Sequence, residues 1–261
     1  MKSFNYHSAK DSKEATILSS SASAFLAGGM TTIPSMKLGM ATYKDIIDIK
    51  NIKKLSGISV SGKSVKIGAI TKHADVANSK EIKKAIPSLA SLAEGIGDPQ
   101  VRNRGTIGGS IANNDPSADY PSACIALNAI IHTNERKIES SKFFKGMFET
   151  VLKKGELIET IEFQIPEKSS YQKHPNPASR YAIVGVYVAK HKTGINVGVT
   201  GAKPCVYNDK DIAKALESSF SSNSLSGVEV NSSDMNSDIH ASSEYRASLV
   251  VTQAKKAVEA C

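Results

Sequence analysis

Two pairs of adjacent glycines, each flanked by small hydroxyl residues, constrain this chain more than any other feature. Thr106-Ile107-Gly108-Gly109-Ser110 is the centre of a run from Arg102 to Pro121. Ala27-Gly28-Gly29-Met30-Thr31-Thr32 stands about 80 residues earlier. Glycine has no Cβ and tolerates positive φ, so at both places the backbone can come very close to another group. Bare N–H groups in such bends converge on an anion. The earlier pair follows Phe25-Leu26-Ala27, which reads as a short buried strand. It precedes Thr31 and Thr32, either of which can cap a helix with Pro34 in its first turn. Strand, glycine bend and helix start point their orphan N–H groups one way, which favours phosphate. A plain tight turn is the other reading of the same residues. The two bends together predict a shared diphosphate, gripped by main-chain amides from both.

The rest of the chain excludes most other chemistry. Its 261 residues suffice for a substantial core and two or three lobes. The net charge of +8 comes from scattered lysines with no interleaved aromatics, so a nucleic-acid surface is not predicted. Cys124, Cys205 and Cys261 are far apart and form no CxxC pair, so neither zinc nor a cysteine-ligated cluster is expected in this chain. An odd cysteine count without framework spacing fits a reducing compartment. No run approaches the ~20 apolar residues of a membrane helix. The N-terminus lacks the apolar stretch of a signal peptide, and a soluble cytoplasmic protein is expected. The six histidines show no HxxxH or HExxH spacing, and neither GxSxG nor GxGxxG occurs.

One motif points elsewhere. Gly57-Ile58-Ser59-Val60-Ser61-Gly62-Lys63-Ser64 matches GxxxxGK[ST] letter for letter, the pattern of an ATP-binding P-loop. A P-loop must open a helix. Here Ile58 and Val60 alternate before Gly62, and Val65 and Ile67 alternate after it, so a β-hairpin is predicted instead.

Along the chain, Asp11 with Glu14 predicts a helix over about Ser12 to Ser20. Asp45 to Ile49 reads as a strand. Thr71 and Ser79 each cap a predicted helix, and Pro87 opens a third. Gly97 to Gly105 is a polar loop. Ser122 to Ala129 reads as helix, and Phe143 to Val151 as a segment packed over the core. Leu157 to Ile165 alternates as a long strand. Glu167 to Ser179, with two prolines, reads as a linker. Tyr181–Lys190 and Ile195–Thr200 form a predicted antiparallel pair. Ser243 to Glu259 is a final helix with Leu249, Val250, Ala254 and Val258 on one side.

The segments AGGMTTIPSMKLGMATYKDIIDI, KSVKIGAITKHADVANS and GDPQVRNRGTIGGSIANNDPSADYPSA resemble the flavin-carrying medium subunit of the molybdenum hydroxylases, the xanthine dehydrogenase and aerobic carbon monoxide dehydrogenase family. The likeness is strongest, by eye, to carbon monoxide dehydrogenase medium-subunit homologues. It continues through FETVLKKGELIETIEF and NPASRYAIVGV to Ser243-Glu244-Tyr245-Arg246. It implies an α+β fold: an FAD-binding portion of the vanillyl-alcohol-oxidase type in residues 1–168, with subdomains of about 1–55 and 56–168. A small α+β domain with a three-stranded antiparallel sheet would occupy 169–261. It also implies a role. Electrons from a molybdenum cofactor in a large subunit would cross [2Fe–2S] clusters in an iron–sulfur small subunit, reach FAD here, and leave to an external acceptor. The assembly would be a dimer of heterotrimers.

Carried over by position, Ala27, Gly28, Gly29, Met30 and Thr31 would form one wall of the diphosphate site. Thr106, Ile107, Gly108, Gly109 and Ser110 would form the other, with valine at Gly108 or Gly109 filling the diphosphate's space. Asp119 would stand at the ribose or adenine end of FAD, and Ile158 and Lys173 near the flavin ring. Ile96 occupies a position that is aromatic in some relatives. Met30 stands where relatives have Thr, Ser or His, which makes a structural subunit without FAD an alternative. Pro175-Asn176-Pro177 replaces a basic stretch. Without the resemblance, Asp119 reads as a helix N-cap, Lys173 as a solvated lysine, and Arg102 and Arg104 as surface ion-pair partners. No catalytic acid or base, and no metal ligand, is assigned to this chain.

Overall fold

Three of the four β-sheets, each with its own apolar cluster, organise the computed structural model, which describes all 261 residues. In the first, Asp45–Asp48 lies between Asn5–Ser8 and Ser23–Leu26 and is parallel to both. Parallel neighbours require crossovers. The helix Ser12–Leu18 supplies one of them. Its N-cap Asp11 accepts from the Glu14 amide, while Glu14 Oε2 accepts from the Lys10 amide. After Ser23–Leu26 the chain bends through Gly28-Gly29 into the helix Thr32–Lys37. Ile47, Ile49 and Ala15 are buried beneath.

The second sheet has five antiparallel strands in the order Ile58–Ser61, Ser64–Gly68, Ile158–Gln164, Ile130–Thr133, Lys137–Glu139. Val65, Ile67, Ile131, Ile161 and Phe163 are buried with the helices Pro87–Glu94 and Tyr120–Ala126. The predicted hairpin is present, with Ser61 opposite Ser64 and Gly62 at φ +57 in the turn. The P-loop alternative is thereby overturned. A strand, not a helix, follows Ser64, so no set of helix N–H groups faces Lys63. Thr71 is also used differently from its predicted cap. Its hydroxyl donates to the Gly57 carbonyl and accepts from the Gly57 amide, and the helix His73–Asn78 starts without a side-chain cap.

The third sheet is antiparallel in the order Lys168–Pro175, Ala182–His191, Gly194–Thr200, with the two-residue strand Tyr207–Asn208 at its edge. Ser243–Glu259 crosses it, burying Leu249, Val250 and Ala254. The expected linker at 167–179 is instead mostly an edge strand. Its prolines are tolerated because Pro175 lies at the strand end, past a register shift. This sheet is joined to the second one. Tyr187 is fully buried in the central cluster, its hydroxyl 2.6 Å from that of Ser88. A Cβ at Gly198 would strike the Ser122 carbonyl, so the strand Gly194–Thr200 lies directly against the helix Tyr120–Ala126.

Candidate functional site

A cavity of about 510 Å³ opens where the three sheets meet. Phe25, Ala27 and the bend Gly28–Thr32 reach it from the first sheet, Ala69, His73, Thr106, Gly109 and Ile158 from the second, and Ser179, Arg180 and Tyr181 from the third. The volume falls within the range of small-molecule and cofactor sites.

The two glycine bends are in contact. A Cβ on Gly28 would overlap the Arg104 carbonyl and lie 2.9 Å from the Gly105 Cα. Bare backbone at position 28 therefore lets the first bend lie on the lead-in to the second. Gly29 has φ +75, a conformation natural to glycine. The N–H groups of Gly28, Gly29, Met30 and Thr31 have no acceptor within the protein. Four adjacent donors without an acceptor in the protein therefore line one wall of the cavity, an arrangement that suits an anion.

The second bend differs from the expectation. It opens the helix Ile107–Asn113, whose N-cap is Thr106. Its amides are largely committed: Ile107 N–H to the Thr71 carbonyl, Gly108 N–H to the Ala69 carbonyl, and Ser110 N–H to the Thr106 carbonyl. Gly109 N–H donates to Thr106 Oγ1 at 3.2 Å. What this bend offers is open space above Gly109 and the Ser110 hydroxyl. Amide supply is thus one-sided, from residues 28–31. Ile107 is fully buried in the core and does not line the cavity. Gly108 faces inward, because a Cβ there would lie against the Ala69 side chain and backbone.

Asp119 occupies the N-cap position before Tyr120 but makes no side-chain cap bond. Its carboxylate turns inward and is 4% exposed. Oδ1 accepts from the Tyr171 hydroxyl at 2.5 Å and pairs with Lys173 Nζ at 2.9 Å. Burial pushes the carboxyl above the usual carboxylate range, and the Lys173 ammonium and the Tyr171 hydroxyl oppose that rise. Oδ2 receives no donor from a neighbouring residue. One oxygen is thus anchored, and the second is free to accept a further hydrogen bond. Asp119, expected at the ribose or adenine end of FAD, and Lys173, expected near the flavin ring, are in direct contact. Lys173 itself does not line the cavity, whereas Ile158, 4% exposed, does.

Several lining residues were not singled out from the sequence. His73 is buried, with an unpartnered Nδ1, and burial together with the Arg102 guanidinium lowers its pKa to about 4, so it is neutral near pH 7. Arg180 and Tyr181 come from the third sheet; burial pushes the Tyr181 phenol up. Glu156 lines the cavity beside Leu157 and is held by Arg136 Nε at 2.8 Å and Nη2 at 2.9 Å, Thr133 Oγ1 at 2.9 Å and the Lys153 amide at 2.8 Å. An acceptor-rich sequence gives no sign that Glu156 is buried; only the fold does.

Arg136 and the other donors hold Glu156 at a pKa of about 2, below its ordinary 4.5. A depressed carboxyl stabilises the fold fully above its unfolded pKa and loses that stabilisation as pH falls toward the folded value. The expected contribution is about 2 kcal/mol at neutral pH, discounted for the part-exposed Arg136. Arg136→Met should remove most of that contribution at pH 7, because the Glu156 carboxylate then keeps only the Thr133 hydroxyl and the Lys153 amide. Urea unfolding at a series of pH values should show the wild-type loss of stability below about pH 4.5, and a flatter acid limb in the variant.

A family described as the FAD binding domain in molybdopterin dehydrogenase matches residues 2–167. The chain belongs to that family. Carbon monoxide dehydrogenase medium chain of Hydrogenophaga pseudoflava is 35% identical over 218 residues, 77% of this chain and 75% of that one. Glyceraldehyde dehydrogenase medium chain of Sulfolobus acidocaldarius is 38% identical over 170 residues, 63% of this chain and 60% of its own length. A solved carbon monoxide dehydrogenase from Hydrogenophaga pseudoflava, lacking the Mo-pyranopterin moiety of the molybdenum cofactor, superposes with a TM-score of 0.89. Identity there is 30%, covering 99% of this chain and 97% of that one. The cavity described above suits the family's FAD: an unmatched amide cradle for a diphosphate, no side chain at Gly109, and a half-free carboxylate at Asp119.

Proposed function

We propose that this chain is the FAD-carrying electron-transfer subunit of a molybdenum-containing hydroxylase or dehydrogenase. The observation that carries the reading is the row of unmatched N–H groups at Gly28–Thr31, in the same cavity as the bare backbone at Gly109. Gly28, Gly29, Met30 and Thr31 would hold the diphosphate through main-chain N–H, with Ser110 donating from the opposite wall. Asp119 Oδ2 would accept from a hydroxyl of the cofactor. Ala27, Thr106, Gly108 and Ile158 would shape the walls. The flavin, when bound, supplies the redox chemistry, accepting electrons in pairs or singly. The protein supplies position, exclusion of water and a fixed electrostatic setting. Met30, a residue 39% exposed, would take part through its main-chain N–H, which has no acceptor within the protein.

An iron–sulfur small subunit and a molybdenum-cofactor large subunit complete the reading, in a dimer of heterotrimers. Relatives named as medium chains or medium subunits of dehydrogenases and hydroxylases support it. No helix of the chain is long and apolar enough to cross a membrane. All three cysteines are unpaired, which suits the reducing cytoplasm. The test is purification with associated subunits. The expected result is a yellow protein whose acid-released cofactor has the mass of FAD, with iron and molybdenum in the accompanying chains. A colourless complex with intact partners, unable to take up added FAD, overturns it.

A further inference from the structure

We propose that Lys173 is a clasp rather than a cofactor ligand: it fastens the segment Asn176–Tyr181 across the cavity. An ammonium has three donors. Lys173 Nζ lies 2.9 Å from Asp119 Oδ1, 2.9 Å from the Gly95 carbonyl and 2.9 Å from the Arg180 carbonyl. These acceptors belong to three separate segments. Asp119 precedes the helix Tyr120–Ala126, Gly95 caps the C-terminus of Pro87–Glu94, and Arg180 lies in the loop between two strands of the third sheet. All three donors are used, and the Lys173 side chain is 11% exposed. No donor is left for a molecule in the cavity.

The fastened segment has the structure of something held under load. Arg180 is in the left-handed region at φ +62, a conformation that an arginine rarely adopts. Its backbone is closed on Asn176, with Arg180 N–H donating to the Asn176 carbonyl at 2.8 Å and Asn176 N–H to the Tyr181 carbonyl at 2.8 Å. Asn176 Oδ1 accepts from the Ala178 and Ser179 amides. Arg180 Nη1 donates to the Gly97 carbonyl at 3.1 Å, and Arg102 Nη1 donates to the same oxygen at 2.9 Å. Lys173 thus closes the third tie of a strap that places Tyr181 on the cavity wall. The strap goes beyond the flavin reading and does not need it, whereas its effect on cofactor retention does rest on that reading.

The experiment is limited trypsin digestion of the full chain, purified with its accompanying subunits, before and after removal of flavin. Arg180 is exposed but its loop backbone is hydrogen-bonded, so trypsin should cut after it faster when the strap opens. Lys173→Met should raise the rate of that cleavage about tenfold or more, with and without flavin, while cleavage elsewhere stays the same. Flavin release, followed by the rise in free flavin fluorescence, should speed up in parallel. Unchanged cleavage after Arg180, whether flavin is lost or kept, overturns the clasp. Should Lys173→Met fail to fold, Lys173→Gln carries the test. Its amide has two donors where the ammonium has three, and the cut after Arg180 is unaltered as a trypsin site; a faster cut supports the clasp, and an unchanged one refutes it. A wild-type protein without flavin would overturn the proposed function, and the cleavage comparison would still be read.

Discussion

Gly109→Val is expected to leave the protein folded and to lower its affinity for FAD about 100-fold or more, equivalent to about 3 kcal/mol of binding. A Cβ at this position meets only Thr106 Oγ1, at 2.9 Å, and otherwise enters the cavity. The two valine methyls would stand in the cavity that the unmatched amides of residues 28–31 line. The cost to the fold is loss of the Thr106 cap, about 1 kcal/mol. Gly108→Val, one residue earlier, is expected to behave in the opposite way. Its side chain would be forced into Ala69 within the core, costing about 3 kcal/mol or more in overpacking. Flavin titration by fluorescence quenching, set beside thermal unfolding, separates the two. Equal melting losses at both positions would show that Gly109 faces protein rather than ligand.

Gly28→Ala is the second large effect. A single methyl there overlaps the Arg104 carbonyl, and neither partner is a flexible side chain that can swing aside. The two bends must separate. The expected stability loss is about 2–4 kcal/mol, a melting shift of roughly 5–12 °C for a chain of this size. FAD should be absent from the purified variant, because the amide row would be displaced from the cavity it shares with Gly109. Retained flavin with an unshifted melting point would show that the bends do not need this contact.

Much of the fold was legible in the residues. Ser243–Glu259 was readable because its apolar stripe is long and its cap, Ser242, is ordinary. The hairpin at Gly62 was readable because alternation on both sides contradicts a P-loop. The linker assigned to 167–179 failed for a physical reason. Pro175 and Pro177 suggest a break, but a strand can end at a proline, and Ser170, Gln172 and Lys173 look polar while being buried or half-buried. The same blindness affected the site. Both bends were found from their glycines, since absence of a side chain is visible in a sequence. Which bend keeps its amides free was not, because that depends on carbonyls at Ala69 and Thr71 brought in by the second sheet. Asp119 and Lys173 were both identified, yet their pairing is a tertiary fact that spacing cannot reveal.

The junction of three sheets has a consequence for how this chain would be handled. A molecule seated there touches segments with separate apolar clusters, so it acts as a mortar between them. Its binding free energy would then add to the stability of the whole chain, about 4 kcal/mol when the free coenzyme stands a thousandfold above its dissociation constant. Protein made in flavin-starved cells would then carry an unmortared joint and unfold at a lower temperature than protein already filled.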